Sequence, residues 1–160
     1  MNESLKDLDE KIFRISWQNI DSGARAIVSN IQREHDDVKA VVCWQRDAIA
    51  AAIVSRILDI PMGIVHAQEK INGMKVDCYP TFTSPIRSGE YNQPQPKIAI
   101  VTTMVDDGHN VDTLSAIYNA NKPIVTSVYS RKDIECPPDY HWSLIARGVE
   151  CIYPWEEEVT

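Results

Sequence analysis

The chain has few of the features that mark several large protein classes. No stretch approaches the roughly 20 consecutive apolar residues that a membrane-spanning helix needs, and no internal repeat is present. A basic surplus is also missing, because 16 Lys and Arg face 23 Asp and Glu, for a formal net charge of −7. A broad nucleic-acid-binding face requires a positive surplus. We therefore expect neither nucleic acid nor a membrane as a partner.

Metal-ligand spacings are missing as well. None of the four cysteines lies within three residues of another, which excludes a CxxC zinc or redox pair. The four histidines show no i, i+4 pair of the kind that holds zinc on a helix. The sequence thus predicts no dedicated metal site and a reduced, cytoplasmic protein. The first ten residues are polar and acidic and lack the apolar core of a signal peptide, which agrees with that location.

The composition is that of an ordinary globular domain. The chain has 160 residues, of which 44% are hydrophobic and 24% are charged. This length suits one domain with one core, and no shift in composition divides the chain. We expect a single domain over residues 1–160.

The first half of the chain shows a helix and then a strand–helix–strand unit. Residues 16–35 carry apolar side chains at helical spacing, with Ser16 placed as an N-cap. The run VKAVVCW, residues 38–44, predicts a buried strand. A helix over residues 47–58, ended by Asp59, and a strand over residues 62–66 follow. Two strands joined through a helix predict parallel pairing with a right-handed crossover.

The second half repeats this order after a long loop. We expect a buried strand over residues 97–102 (KIAIVT), a helix over about 111–120, a strand over 123–129 and a short strand over 151–155. Residues 67–96 carry four prolines and allow a hairpin; a loop this long is a binding loop or lid, or else a disordered insertion. The order predicts an α/β fold with a mostly parallel central sheet flanked by helices.

Two predicted strand ends carry polar groups that could bind a ligand, since ligands of open α/β sheets bind at the carboxyl ends of strands. Gln45, Arg46 and Asp47 follow the first strand. The turn after Thr102 delivers hydroxyls, two carboxylates and a glycine to a helix start, where free N–H groups favour anions. The alternative is a plain strand-to-helix turn with side-chain caps, Asn110 among them.

Residues 97–114, KIAIVTTMVDDGHNVDTL, resemble the ribose-phosphate motif of the type I phosphoribosyltransferases. That motif is a buried strand, two acids, two apolar residues, an acid and a Thr-Gly-Gly-Thr-like turn. The segments SWQNIDSGARAIVSNI and VVCWQRDAIAAAIVSRILDIPM resemble the first helix and the strand, pyrophosphate loop and helix of xanthine-guanine-type purine enzymes. PIVTSVYSRKDIECPPDYHW and IYPWEEE resemble their closing region, in which Pro138-Asp139-Tyr140 and Pro154-Trp155-Glu156 match outright. The resemblance covers residues 16–156.

This resemblance implies a type I phosphoribosyltransferase-like fold with a small hood from about residues 67–96 and 133–156. It implies transfer of ribose 5-phosphate from phosphoribosyl pyrophosphate to a purine base in nucleotide salvage, with Mg²⁺, in a homodimer or a higher even-numbered assembly. The implied roles are general base for Asp106; ribose and phosphate binding for Thr102, Thr103, Asp107, Gly108, His109 and Asn110; pyrophosphate binding for Gln45, Arg46 and Asp47; and base binding for Arg131, or Lys132 under a one-residue shift, and for Tyr153.

The departures from the family pattern keep other functions open. Thr102 and Thr103 replace two acids, and Gly108 alone survives from the phosphate turn. Asp107 beside a phosphate is repulsive unless a metal ion or a proton intervenes. The loop glycines are absent, and Glu150 replaces the tryptophan that stacks on the purine. One alternative is therefore a catalytically inactive relative that binds a nucleotide or regulates a partner. Another is an enzyme that uses a different donor or hydrolyses a glycosidic bond.

Overall fold

The strands form two sheets in this computed structural model, which describes residues 12–65, 80–82, 97–108, 111–112, 114–115 and 123–156. The larger sheet has six strands in the order β4-β3-β2-β5-β6-β7, and the smaller pairs β1 with β8. The strands are β1 Ile12–Arg14, β2 Val38–Trp44, β3 Met62–Val65, β4 Pro80–Phe82, β5 Lys97–Val105, β6 Ile124–Arg131, β7 Tyr140–Ile145 and β8 Glu150–Ile152.

Every pair in the two sheets is parallel except β3 with β4. This confirms the predicted α/β class and its mostly parallel sheet. Because β2, β5 and β6 run in the same direction, they end at one edge of the sheet. That edge carries the residues following Trp44, Val105 and Arg131, which include most of the predicted site.

Helix α1, Trp17–Glu34, begins at the predicted cap. The Ser16 hydroxyl accepts a hydrogen bond from the Asn19 N–H at 3.1 Å, and the Asn19 side chain accepts one from the Ser16 N–H at 2.9 Å. This reciprocal pair satisfies two N–H groups that a helix start leaves unpaired. The buried face of α1 lies close to β6, since a Cβ on Gly23 would lie 2.4 Å from Val128 Cγ1. Glycine at this position permits that approach.

Helix α2, Ala48–Leu58, follows a single 3₁₀ turn, Gln45–Asp47, and ends at Asp59 in the left-handed region with φ 54°. Both helices pack on one face of the sheet, in a core that includes Ile27, Val54 and Val101. The other face has its own apolar cluster with Leu114, and the described residues 111–112 and 114–115 are helical. Burying side chains of this size stabilises the fold by about 1.5–3 kcal/mol each.

Several predicted boundaries are wrong. Strand β5 runs to Val105, so Thr103 is not in a turn; the pairing of β5 with β6 continues through Val105 and Ser130 and holds these residues extended. Strand β6 likewise extends to Arg131, and the last strand is β8, not residues 151–155. The helix predicted over residues 47–58 begins one residue later, after the 3₁₀ turn.

Three strands were not predicted: β4, which falls in the segment 67–96 that allows a hairpin, and β1 and β7. Strand β1 pairs with β8, and β7 is an edge strand of the larger sheet. Strand β7 lies inside the expected hood segment 133–156; the division into core and hood stays a prediction. Of residues 67–96, only β4 is described. The predicted helix 111–120 is described at residues 111–112 and 114–115, and His66 lies outside the described residues. Within the described ranges, no helix combines the length and apolarity needed to cross a membrane.

Candidate functional site

The Asp47 side chain joins the Gln45–Asp47 turn to strand β5 at the carboxyl edge of the sheet. Asp47 is 3% exposed, and its Oδ1 accepts a hydrogen bond from the Thr103 N–H at 2.8 Å. Burial raises the pKa of the Asp47 carboxyl, and the hydrogen bond from the Thr103 main-chain N–H is the largest effect that opposes this shift. The predicted pyrophosphate loop is thus attached to β5, with Gln45 and Arg46 exposed beside it.

Thr102 and Thr103 are both buried, at 4% and 2% exposure. The Thr102 hydroxyl donates a hydrogen bond to the Met104 carbonyl at 3.1 Å. This hydroxyl therefore pairs with a main-chain carbonyl at the end of β5, and its contact with a ribose stays a prediction. The two threonines bring hydroxyls but no charge to the positions where the family pattern has acids.

Asp106 and Arg131 form an ion pair across the ends of β5 and β6. Arg131 Nε lies 2.9 Å from Asp106 Oδ1, and Arg131 Nη1 donates a hydrogen bond to the Ala146 carbonyl at 3.1 Å. The Arg131 side chain is 14% exposed and that of Asp106 is 58% exposed. The sequence-predicted general base and the predicted base-binding cation therefore lie together.

A cavity of about 350 Å³ opens beside this pair. Its walls come from residues 130–134 at the end of β6 and from Pro137, His141 and Leu144. Arg131 contributes to the walls and also contacts Asp106, so one side chain links the carboxylate to the cavity. Its volume is in the range of small-molecule sites.

Tyr153 lies among the same groups. Burial raises the pKa of its phenol, and the charges of Asp106 and Asp47 raise that pKa further while Arg46 lowers it. The phenol is therefore within electrostatic reach of both loops. The Tyr153 ring stacks on Trp155 with centroids 4.9 Å apart and planes at 13°. The predicted base-binding tyrosine is thus at the site, with one ring face covered by Trp155.

The turn that follows β5 is described as far as Gly108. Asp106 and Asp107 are exposed, whereas Gly108 is buried with φ +91°. A Cβ at Gly108 would lie 2.9 Å from the Cys136 Cβ and 3.0 Å from the Cys136 carbonyl oxygen, so only glycine fits. The Gly108 carbonyl accepts hydrogen bonds from the N–H groups of residues 111 and 112. His109 and Asn110, the rest of the predicted phosphate turn, lie outside the described residues.

The sequence analysis missed two contacts to the site. Cys151 is half-buried. Burial raises the pKa of its thiol, the charge of Arg131 lowers that pKa, and the charge of Asp106 raises it. The Ala146 carbonyl holds Arg131. The first depends on the position of Cys151 near Arg131, and the second on the pairing of β7 with β6, which brings Ala146 to the end of β6. No local pattern in residues 140–152 signals that arrangement.

Magnesium is implied by the resemblance, and the donor set does not fit a protein-held ion. Within the described part of the chain, no group of three or more His, Cys, Asp or Glu side chains could hold a metal ion. Asp106 is already paired with Arg131, and residues 102 and 103 supply no carboxylate. We therefore derive no step through a metal held by this chain.

Comparison with known proteins gives the fold an identity. Neither protein-family models nor curated protein sequences match the chain. Among solved structures, a purine phosphoribosyltransferase from Pyrococcus horikoshii superimposes with a TM-score of 0.69 at 18% identity, over 94% of this chain and 97% of that one. The xanthine-guanine-hypoxanthine phosphoribosyltransferase of Helicobacter pylori gives 0.65 at 14% identity, over 90% and 92%.

A hypothetical protein from Neisseria gonorrhoeae with bound ppGpp also superimposes, with a TM-score of 0.65 at 15% identity over 94% of this chain and 90% of that one. The chain therefore has a type I phosphoribosyltransferase fold. Within that class, the fold resembles that of the purine phosphoribosyltransferases, as the sequence motifs predict.

Proposed function

We propose that the protein is a diverged purine phosphoribosyltransferase, which joins the ribose 5-phosphate of phosphoribosyl pyrophosphate to a purine base. The observation that carries this proposal is the ion pair of Asp106 and Arg131 at the carboxyl edge of the sheet. A 6-oxopurine presents a carbonyl acceptor next to a ring N–H donor. Arg131 can donate to the carbonyl while Asp106 accepts from the N–H, so the base can replace the contact between the two side chains.

The chemistry asked of Asp106 is proton acceptance. A ring nitrogen of the purine forms a bond to the ribose C1 as the bond from C1 to the pyrophosphate oxygen breaks. The proton that the purine loses is the one on its five-membered ring, which also carries the nitrogen that bonds to C1; the Asp106 carboxylate takes this proton as general base, and the ring stays neutral. Arg46, exposed on the 3₁₀ turn, faces the leaving pyrophosphate in this arrangement. Any magnesium would be held by the pyrophosphate of the substrate rather than by this chain, and it would supply positive charge to that group.

The test is steady-state kinetics with phosphoribosyl pyrophosphate, magnesium and each of guanine, xanthine and hypoxanthine. The proposal expects turnover with at least one base. No turnover with any of the three would overturn it. The subunit assembly, expected to be a homodimer or a higher even-numbered oligomer, rests on resemblance alone and stays a prediction.

A second candidate is a nucleotide-binding or regulatory protein without transferase activity. The buried hydroxyls of Thr102 and Thr103 favour it, because no charge remains where the family pattern has acids. The fold relative from Neisseria gonorrhoeae with bound ppGpp also supports it. Calorimetry separates the two candidates. Binding of phosphoribosyl pyrophosphate with magnesium supports the transferase, whereas binding of purine nucleotides alone supports the second candidate.

A further inference from the structure

Asp47 carries a buried carboxyl that is half-paired within the described part of the chain, which means that one of its two oxygens accepts a hydrogen bond and the other does not. Its Oδ1 accepts from the Thr103 N–H at 2.8 Å, but its Oδ2 has no hydrogen-bond partner among the described residues, and neither has the Thr103 hydroxyl. Buried polar atoms are almost always paired. An amide at this position would keep the Oδ1 contact without burying a charge. The contact with Thr103 therefore needs an acceptor oxygen at residue 47 rather than a charge.

The place of this contact suggests its role. Asp47 directly follows Arg46, whose side chain is 57% exposed at the carboxyl edge. Thr103 lies three residues before Asp106 on the same strand end. One hydrogen bond therefore joins the turn that carries Arg46 to the strand end that leads to Asp106. Within the described residues, Thr103 is the only main-chain N–H that bonds the Asp47 carboxyl.

The groups around Asp47 are few. Arg46 Nε lies 3.7 Å from Asp47 Oδ2, which is too long for a hydrogen bond. Burial, and to a smaller extent the charge of Asp47, raises the pKa of the Cys43 thiol on β2 to about 12. Tyr153 approaches from the C-terminal segment. The hydroxyls of Thr102 and Thr103 also approach the carboxyl and lower its pKa. Among the described contacts, the Thr103 N–H, at 2.8 Å from Oδ1, is the one with good hydrogen-bond geometry.

We propose that Asp47 is a positioning residue that locks the Gln45–Asp47 turn onto β5 through the Thr103 main-chain N–H, and so holds Arg46 in place for a pyrophosphate group. This inference rests on the proposed function for its choice of anion. It assigns to Asp47 no contact with the substrate. Its action depends on an acceptor oxygen at residue 47, not on the charge.

The test compares two variants by calorimetry with inorganic pyrophosphate and magnesium. Asp47→Asn keeps the acceptor, and its affinity should stay within about twofold of the wild type, inside the range of a weak surface ion pair. Asp47→Ala removes the acceptor, and its dissociation constant should rise roughly fivefold or more, as expected for the loss of one neutral hydrogen bond. Asp59→Asn, at the far end of α2, is the matched control and should bind as the wild type.

A second arm asks whether the effect passes through Arg46. In an Arg46→Ala background, Asp47→Ala should add little further loss, since there is no cation left to hold. Melting curves and Thr103 amide exchange accompany each variant. Asp47→Asn should keep the exchange protection, and Asp47→Ala should lose it while the remaining core amides stay protected. If Asp47→Ala does not fold, Asp47→Ser, which is too short to reach Thr103, takes its place.

The outcomes separate this inference from the proposed function. Equal loss in Asp47→Asn and Asp47→Ala, no loss in Asp47→Ala, or full loss in the Arg46→Ala background each overturn the lock. Absence of pyrophosphate binding by the wild type overturns it as well. Pyrophosphate binding with the expected pattern but no turnover with any base supports the lock and overturns the transferase.

Discussion

Asp106 and Arg131 are partners of unequal freedom. Their side chains meet at 2.9 Å, but Arg131 is 14% exposed and Asp106 is 58% exposed. Arg131 is also held by the Ala146 carbonyl at 3.1 Å. The cation is therefore the fixed member of the pair, and the carboxylate is the member that can turn toward a bound base. The two residues should have separable effects on the proposed reaction.

Replacing Asp106 with Asn should chiefly lower turnover. The variant keeps the shape of the side chain and removes its basicity, so kcat should fall by roughly 10²–10⁴-fold, the usual contribution of a general base. Affinity for phosphoribosyl pyrophosphate should change much less. Steady-state kinetics and calorimetry give the two values. Asp21→Asn, which breaks an exposed Asp–Arg pair on α1, is the control. An unimpaired Asp106→Asn enzyme would transfer the base assignment to Asp107.

Replacing Arg131 with Ala should chiefly raise the KM for the base. Loss of a charge-assisted hydrogen bond corresponds to about 1.5–3 kcal/mol, or roughly a tenfold to hundredfold rise. The KM for phosphoribosyl pyrophosphate should move little. Arg25→Ala, the other half of the exposed pair on α1, is the matched control. A fall in kcat with an unchanged KM for the base would contradict a base-binding role.

The buried elements were predictable because their signals are local. The run of residues 38–44 is β-branched, apolar and bounded by charges, and it forms β2 with the predicted bounds. Helix α1 starts at its predicted cap. The apolar run of β2 reflects burial on both faces of a parallel sheet, and it can be recognised without knowing which strand pairs with it.

The missed features depend on distant partners. Strand β7 has a largely exposed pattern, and only its pairing with β6 makes it a strand. The end of β5 was placed too early because Asp106, Asp107 and Gly108 suggest a turn, whereas pairing to β6 keeps Thr103 extended. In the site, the sequence motifs predict roles for Asp106 and Arg131. The burial of Asp47 against Thr103 follows from tertiary packing and has no signal in the sequence.

Thr102 offers a test of structural against ligand-binding roles. Thr102→Val keeps the shape and removes the hydrogen bond to the Met104 carbonyl, so the free energy of unfolding should fall by about 0.5–1.5 kcal/mol. Urea denaturation measures this change. Affinity for phosphoribosyl pyrophosphate should stay unchanged if the hydroxyl serves the strand alone. Weaker binding without a loss of stability would instead support the ribose contact that the resemblance implies.

Gly108 and Gly148 form a matched pair for testing the turn after β5. Both have positive φ, at 91° and 80°, but a Cβ meets Cys136 at Gly108 and meets nothing within 4 Å at Gly148. Left-handed strain alone costs roughly 1–2 kcal/mol for a residue with a Cβ. Gly148→Ala should show that strain, and Gly108→Ala should lose more because the Cys136 carbonyl oxygen cannot easily move. Equal losses in thermal or urea unfolding would contradict the close packing at Gly108.

The last prediction concerns the pH dependence of stability. Burial raises the pKa of the Asp47 carboxyl above its ordinary value of 3.8, so the folded state favours the protonated form. The stability that this preference contributes is complete below the unfolded pKa and is lost as pH rises through the folded pKa. Asp47→Asn removes this titration. The unfolding free energy of the variant minus that of the wild type should therefore increase from about pH 4 upward and level off once the folded carboxyl has ionised.

Glu34 has the opposite sign, because the Tyr140 hydroxyl lowers the pKa of its carboxyl, and its contribution is lost as pH falls. That contribution is common to both proteins and cancels in the difference. Urea denaturation at a series of pH values gives the two curves. Parallel curves for Asp47→Asn and the wild type would contradict the buried, half-paired state of Asp47. A difference that grows with pH would show that ionisation of this buried carboxyl weakens the fold.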